Sequence, residues 1–224
     1  MSNCGSPQKR DRFLAYLSKI APVTLETEIQ CPAYAWFRSA EDNDTVPHHW
    51  LRGFEVYETP EANTVTHRAS APYKAFRAAV REESLLERPS DLSFWRPTGV
   101  GFLGRPGTIN LMKEEGTGPG LQYAVVHELV PAAGMKGQAL AELRKVADLA
   151  ENSPSAASFW VLHRGDGDKD GSLYVFGLFT TRMVAEKFET GESRGVWERL
   201  EDMCESTRRT TWVECGIGFI GRPA

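Results

Sequence analysis

Gly99-Val100-Gly101-Phe102-Leu103-Gly104-Arg105-Pro106 returns 117 positions later as Gly216-Ile217-Gly218-Phe219-Ile220-Gly221-Arg222-Pro223, with six identities and two aliphatic exchanges. A tryptophan stands four residues before the first glycine of each copy, Trp95 and Trp212. A segment that recurs in this way marks an internal duplication. The chain therefore reads as two copies of one unit, each ending in the same pattern.

The letters also spell G-x-G-x-x-G twice, at Gly99, Gly101, Gly104 and at Gly216, Gly218, Gly221. A dinucleotide fingerprint needs a strand before it and a helix opening after it, so that the pyrophosphate meets the helix N-terminus. Here the first copy runs into Arg105-Pro106-Gly107 and the second into Pro223-Ala224. Neither opens a helix, so both copies read as terminal strands whose glycines serve bends or close backbone approach.

Working outward, Phe13, Leu14, Leu17 and Ile20 fall at helical spacing, and the pattern resumes through Leu25 and Ile29 after Pro22, which should bend it. Aromatic residues make Tyr34–Arg38 a strand, and His49–Tyr57 its partner beyond the polar turn at 41–45. Ser70 as N-cap and Pro72 in the first turn open a helix carried by Tyr73, Phe76 and Val80, and the strand from Leu92 to Phe102 follows. Residues 107–119 lie in a stretch rich in glycine, proline and charge that reads as a linker. The second unit then shows strands at Leu121–Val130, Phe159–His163 and Leu173–Phe179, helix at Met135–Glu151 and again up to about Arg208, and a closing strand at Thr210–Phe219. A strand before the first helix is evident only in the second unit.

Each unit alone would leave a sheet with a bare apolar face, so the expectation is α+β. Two tandem units, residues 1–106 and 120–224, would bury those faces by packing their sheets together, as an α+β two-sheet or barrel pseudo-dimer. The first unit's open edge would be covered by residues 1–10 or by another chain.

Composition narrows function. The 224 residues carry a net charge of -4, which gives no electrostatic footprint for nucleic acid. Cys4, Cys31, Cys204 and Cys215 show no C-x-x-C spacing, which argues against zinc and a disulfide framework and for a reducing, cytoplasmic setting. The first residues form no apolar leader, and no stretch approaches the roughly 18 apolar residues of a membrane span. Asp166–Gly171 imitates the start of a calcium loop, but its twelfth position is Gly177 where a bidentate Glu is needed, so it reads as a hairpin turn. None of the five histidines stands in a metal-binding spacing, and neither a nucleophile elbow nor a P-loop occurs.

What remains is aromatic and polar: Trp36, Arg38, Trp50, Tyr57, His67, Arg68, Tyr73 and Trp95. Aromatics dominate cores, so each of these rings has a packing role as its simplest reading. His67, just before a helix, suits either a general base near neutral pH or a backbone-bonded loop histidine.

The stretch Trp50–Ala62, then His67, Pro72–Phe76 and Asp91–Phe102, resembles the antibiotic biosynthesis monooxygenase family, and the fused duplication resembles its tandem members in fungal secondary metabolism. The resemblance implies two tandem ferredoxin-like units with antiparallel sheets packed as a pseudo-dimeric α+β barrel, here a monomeric pseudo-dimer or a homodimer, and oxygenase chemistry without flavin, haem or metal. It implies a small aromatic or polyketide-derived substrate with O2 as co-substrate. His67 would be the base, Arg38 or Arg68 the anion stabiliser, and Trp36, Trp50, Tyr57, Tyr73 and Trp95 the walls of the pocket. Relatives that act as cyclases, decarboxylases or isomerases make non-redox enolate chemistry the alternative, and a non-catalytic metabolite-binding protein the third reading. Phe188 stands where the second unit should repeat His67, so one working site is expected, in the first half.

Overall fold

The computed structural model describes residues 1–105, 109–112, 121–164 and 171–222. The turn at 166–170 and most of the linker lie outside them. The chain forms two compact units, and their borders do not follow chain order. Met1–Leu92 is joined by residues 109–112 and 213–222, whereas Ser93–Arg105 goes with residues from 121 to Trp212. The last strand of each half has thus been exchanged. The chain-order division at 1–106 and 120–224 differs from this grouping because a repeat locates a strand in sequence, not the sheet in which it pairs.

In the first unit, helix α1 (Pro7–Thr27) starts on Ser6, whose hydroxyl accepts from the Lys9 N–H, and it runs through Pro22 as a single element. Strands β1 (Ala33–Ser39) and β2 (Leu51–Val56) pair antiparallel, Tyr34 opposite Glu55 and Trp36 opposite Gly53. A π-helix (Ala62–His67) leads to helix α2 (Ala71–Glu82), capped by Ser70 with proline in its first turn. Tyr34 and Trp36 face the helices and join Phe13, Leu17, Ile20, Phe76, Ile217 and Phe219 in one core cluster. No full leading strand appears, but Ser2 exchanges both backbone hydrogen bonds with Leu51, at 2.8 and 3.0 Å, and covers the first rung of the β2 edge.

The second unit begins with strand β3 (Trp95–Phe102), the end of the first half, antiparallel to β6. The short strand β4 (Ile109–Asn110) belongs to the first unit and breaks what reads as a plain linker. Strands β5 (Tyr123–Pro131), β6 (Ala156–Arg164) and β7 (Leu173–Phe179) and helix α3 (Lys136–Asn152) follow the expected order. The helical stretch expected to run to about Arg208 is instead α4 (Arg182–Thr190) and α5 (Arg194–Asp202), broken at Gly191, and strand β8 (Cys204–Ile220) starts earlier than expected. Its residues up to Trp212 complete the second unit's sheet, in the order β8-β5-β7-β6-β3, and those from Val213 pair with β1 in the first.

The repeated glycines account for the exchange. Gly101 and Gly218 have φ of +82° and +104°, and a Cβ would stand 2.0 Å from the Phe159 carbonyl oxygen at the first and 1.8 Å from that of Tyr34 at the second. Only a residue without a side chain lets these strands close on β6 and β1. The repeated arginines cap helices: Arg105 donates to the carbonyls of Ala150, Glu151, Ser153 and Ala156 at the end of α3. Arg222 does the same for Thr24, Leu25, Glu28 and Cys31 at the end of α1. A guanidinium there satisfies orphan carbonyls and sits at the negative end of the helix dipole.

Candidate functional site

These duplicated contacts align the two units residue by residue. Cys31 matches Ala156 and Glu28 matches Ser153 through the arginine caps, and Tyr34 matches Phe159 through the glycine contacts. Strand pairing then matches Glu55 with Gly177 and Tyr57 with Phe179. Phe188 packs on Phe159 and Phe179 as His67 packs on Tyr34 and Tyr57. The first unit therefore holds Glu28, Tyr34, Glu55, Tyr57 and His67 where the second holds Ser153, Phe159, Gly177, Phe179 and Phe188.

His67 closes the π-helix, in which the Arg68 N–H reaches back to the Asn63 carbonyl, and Thr59 caps the turn through the Ala62 N–H. Such wide turns are frequent at functional sites. The imidazole is 1% exposed, and its Nδ1 lies 2.8 Å from Oε2 of Glu28, itself 5% exposed. Glu28 is the residue after α1, with its backbone N–H bonded to Thr24 and its carbonyl held by Arg222. Three tyrosine rings surround the imidazole, Tyr73 at 5.0 Å, Tyr34 at 5.4 Å and Tyr57 at 5.6 Å between centroids.

Two further groups tune the site. Tyr57 donates to Glu55 Oε2 at 3.0 Å. Glu55 is exposed at its outer edge and packed by protein on the side of Tyr57. Loss of water on that side raises its carboxyl above the ordinary range, against the opposing pull of His67, Tyr57 and Arg68. Burial likewise pushes the Tyr57 and Tyr34 phenols well above the tyrosine range, so both act as neutral hydrogen-bonding groups. Burial also raises the Cys31 thiol, which is thereby kept protonated and inert as a nucleophile.

The structure brings Tyr57 and Tyr73 to His67, and Trp36 stands one ring further, 6.4 Å from Tyr34 and over Gly53. Arg68 follows His67 on the exposed side and acts on Glu55 through charge. Arg38 shares the face of Tyr34 but lies four residues along the strand, roughly 13 Å away. Trp50 packs under Arg88 instead, and Trp95, exchanged with β3, packs on Tyr174 of the second unit. Glu28, Tyr34 and Glu55 are absent from the sequence-based list. One sign pointed to Glu28: a carboxylate at a helix C-terminus opposes the dipole and needs a compensating partner.

Beside Glu28, Thr27, Ile29, Gln30, Cys31, Ala62 and Thr66 line a cavity of about 160 Å³, comparable to the roughly 150 Å³ that holds a benzene-sized ring. In the second unit a void beside Phe188 and His127 measures about 10 Å³, room for about one water. Among the described residues no group of three or more His, Cys, Asp or Glu is placed to hold a metal, and no helix is long and apolar enough to cross a membrane.

The α+β fold is shared with solved structures over nearly the whole chain. A structure from Lactobacillus acidophilus named "putative monooxygenase" superposes with a TM-score of 0.73 at 10% identity, covering 98% of this chain and 95% of that one. One of the same name from Fusobacterium nucleatum gives 0.72 at 10% identity over 100% and 94%. An anthrone oxidase-like protein gives 0.60 at 13% identity over 98% and 90%. No family model and no curated protein matches the sequence. At these identities the likeness is one of fold.

Proposed function

We propose that the first unit is a cofactor-independent monooxygenase for an aromatic or polyketide-derived metabolite, and that the second unit is structural. The observation that carries this reading is the matched pair of sites. At the five matched positions the first unit has two carboxylates, two phenols and an imidazole, and the second has serine, glycine and three phenylalanines. Packing does not require a His–Glu pair at this place, since the second unit has Phe188 and Ser153 there and sets its own pair, His127–Glu189, at other positions.

In this reading Glu28 fixes the imidazole tautomer and orientation through Nδ1, and the Nε2 edge takes a proton from an acidic carbon or hydroxyl of the substrate. The tyrosines exclude water around the resulting enolate or phenolate, and Arg68 adds positive potential. The electron-rich anion passes one electron to O2, and the two radicals combine at carbon. Loss of water from the hydroperoxide leaves a carbonyl, so one oxygen atom enters product and the other leaves as water. The fold shared with monooxygenase-named structures supports this choice of reaction class.

A non-redox isomerase or cyclase is the second reading. The Glu55–Tyr57 pair favours it, because a carboxyl with a raised pKa can return a proton at another carbon. The experiment is turnover of a hydroxyanthrone in air and under argon, with metal-stripped protein and labelled O2. Product in air only, with one labelled atom, is expected. Equal product under argon replaces the oxygenase with an isomerase acting through the same residues.

A further inference from the structure

The guanidinium of Arg222, at the end of the second copy of the repeat, converges on the residue that holds His67. Its Nε donates to the Cys31 carbonyl at 2.9 Å, Nη1 to Leu25 at 2.7 Å, and Nη2 to Thr24 at 2.8 Å and also to Glu28. The backbone of Glu28 is thereby fixed at both ends. Its N–H donates to the Thr24 carbonyl at 3.1 Å, and its carbonyl accepts from the Cys31 N–H at 2.9 Å as well as from Arg222. From this anchored backbone the side chain carries Oε2 to His67 Nδ1, 39 residues further on.

Two demands meet at Glu28. It stands just past α1, where orphan carbonyls and the negative end of the dipole oppose a carboxylate. Its pairing with the imidazole nevertheless works in one arrangement only, because an ionised carboxylate accepts and leaves Nδ1 as the donor. A planar guanidinium meets both demands: it brings positive charge to the helix end, and its fixed fork of donors engages several carbonyls at once, which a lysine ammonium does not reproduce. The first copy of the repeat supplies the internal comparison. Arg105 makes the matching bonds to Ala150, Glu151, Ser153 and Ala156, but Ser153 stands in the place of Glu28 and Phe188 in that of His67.

We propose that Arg222 is a positioning residue for His67: by fixing the backbone of Glu28 it holds the carboxylate on Nδ1, which keeps the proton there and leaves Nε2 free to accept. The inference deepens the function proposed above and rests on that reading for its place in catalysis, but its test needs no turnover. The readout is the His67 Nδ1–H resonance in the full chain carrying isotope-labelled histidine. Its rate of exchange with solvent is compared with that of the Leu17 amide, buried in the middle of α1.

Arg222→Met should raise the His67 rate at least about tenfold relative to Leu17. Arg222→Lys keeps the charge at the helix end, and with it the fold, but loses the fork; it should shift the ratio in the same direction. Arg105→Met removes the equivalent cap where no such pair exists and should leave the His67 ratio unchanged. In a Glu28→Gln background the effect of Arg222→Met should vanish, because the two residues act in series. A ratio unchanged in either Arg222 variant, an equal response to Arg105→Met, or an Arg222→Met effect that persists without Glu28 overturns the proposal. A His67 proton that follows Arg222, in a protein that turns over no substrate in air or under argon, leaves this assignment standing and removes only the catalytic reading.

Discussion

Glu189 shows at one residue how burial and pairing compete. Burial raises its carboxyl, but His127 Nε2 at 2.8 Å and Arg209 Nη2 at 2.6 Å outweigh that and bring it down to about 2. A folded-state value below the unfolded one contributes stability that is fully present above about pH 4.5 and is lost as pH falls through about 2. The shift corresponds to roughly 3 kcal/mol. Glu189→Gln should therefore flatten the acid limb of the stability profile between those values, as read by urea unfolding with Trp197, stacked on His127, as reporter. An unchanged acid slope would show that other carboxylates set it. The same residue-scale logic explains what was legible in the candidate site. His67 stood out by its place before a helix, and neighbouring tyrosines came with it, whereas its partner Glu28 lies 39 residues away and no local pattern links the two. Trp95 reads as a neighbour of His67 in sequence order only because strand exchange leaves no local mark.

At the scale of elements, the repeated glycine strand combines two demands at one atom. Gly218 has φ of +104°, and a Cβ there would meet the Tyr34 carbonyl oxygen at 1.8 Å. Gly218→Ala should destabilise the first unit by roughly 3 kcal/mol, from left-handed backbone strain of about 1–2 plus overpacking of about 1–3. The expected readout is a lower denaturation midpoint with a weakened Glu28–His67 site, since Tyr34 is the residue pushed. Gly99→Ala, where φ is +77° but nothing lies within 4 Å, should cost only the strain term, and equal costs at the two positions would refute the close-approach argument. Element types were largely readable because helical spacing, caps and β-rich runs are local. The strand starting at Cys204 is not readable before Thr210, because Glu205, Ser206, Thr207, Arg208 and Arg209 are all polar and exposed and show no alternation.

For the whole molecule, exchange of the terminal strands means that the last residues of the chain stabilise its beginning. Val213–Ile220 pairs with β1, Ile217 and Phe219 enter the core around Phe13 and Leu17, and Arg222 caps α1 next to Glu28. A chain cut after Trp212 loses all three contributions. The second unit keeps β3, β5, β6, β7 and the first part of β8. Chain order predicts damage to the second unit from such a cut; the observed pairing predicts damage to the first. Hydrogen exchange resolved by mass spectrometry distinguishes the two: protection should fall to near the unfolded level across residues 7–57 and persist across 123–202. Loss of protection beginning in 123–202 would refute the exchange. The pairing also joins residues nearly two hundred positions apart, as in the Cys215 thiol donating to the Trp36 carbonyl at 3.0 Å. Loop closure over such distances slows folding, so the His67 site should be assembled only after the chain's last strand has docked.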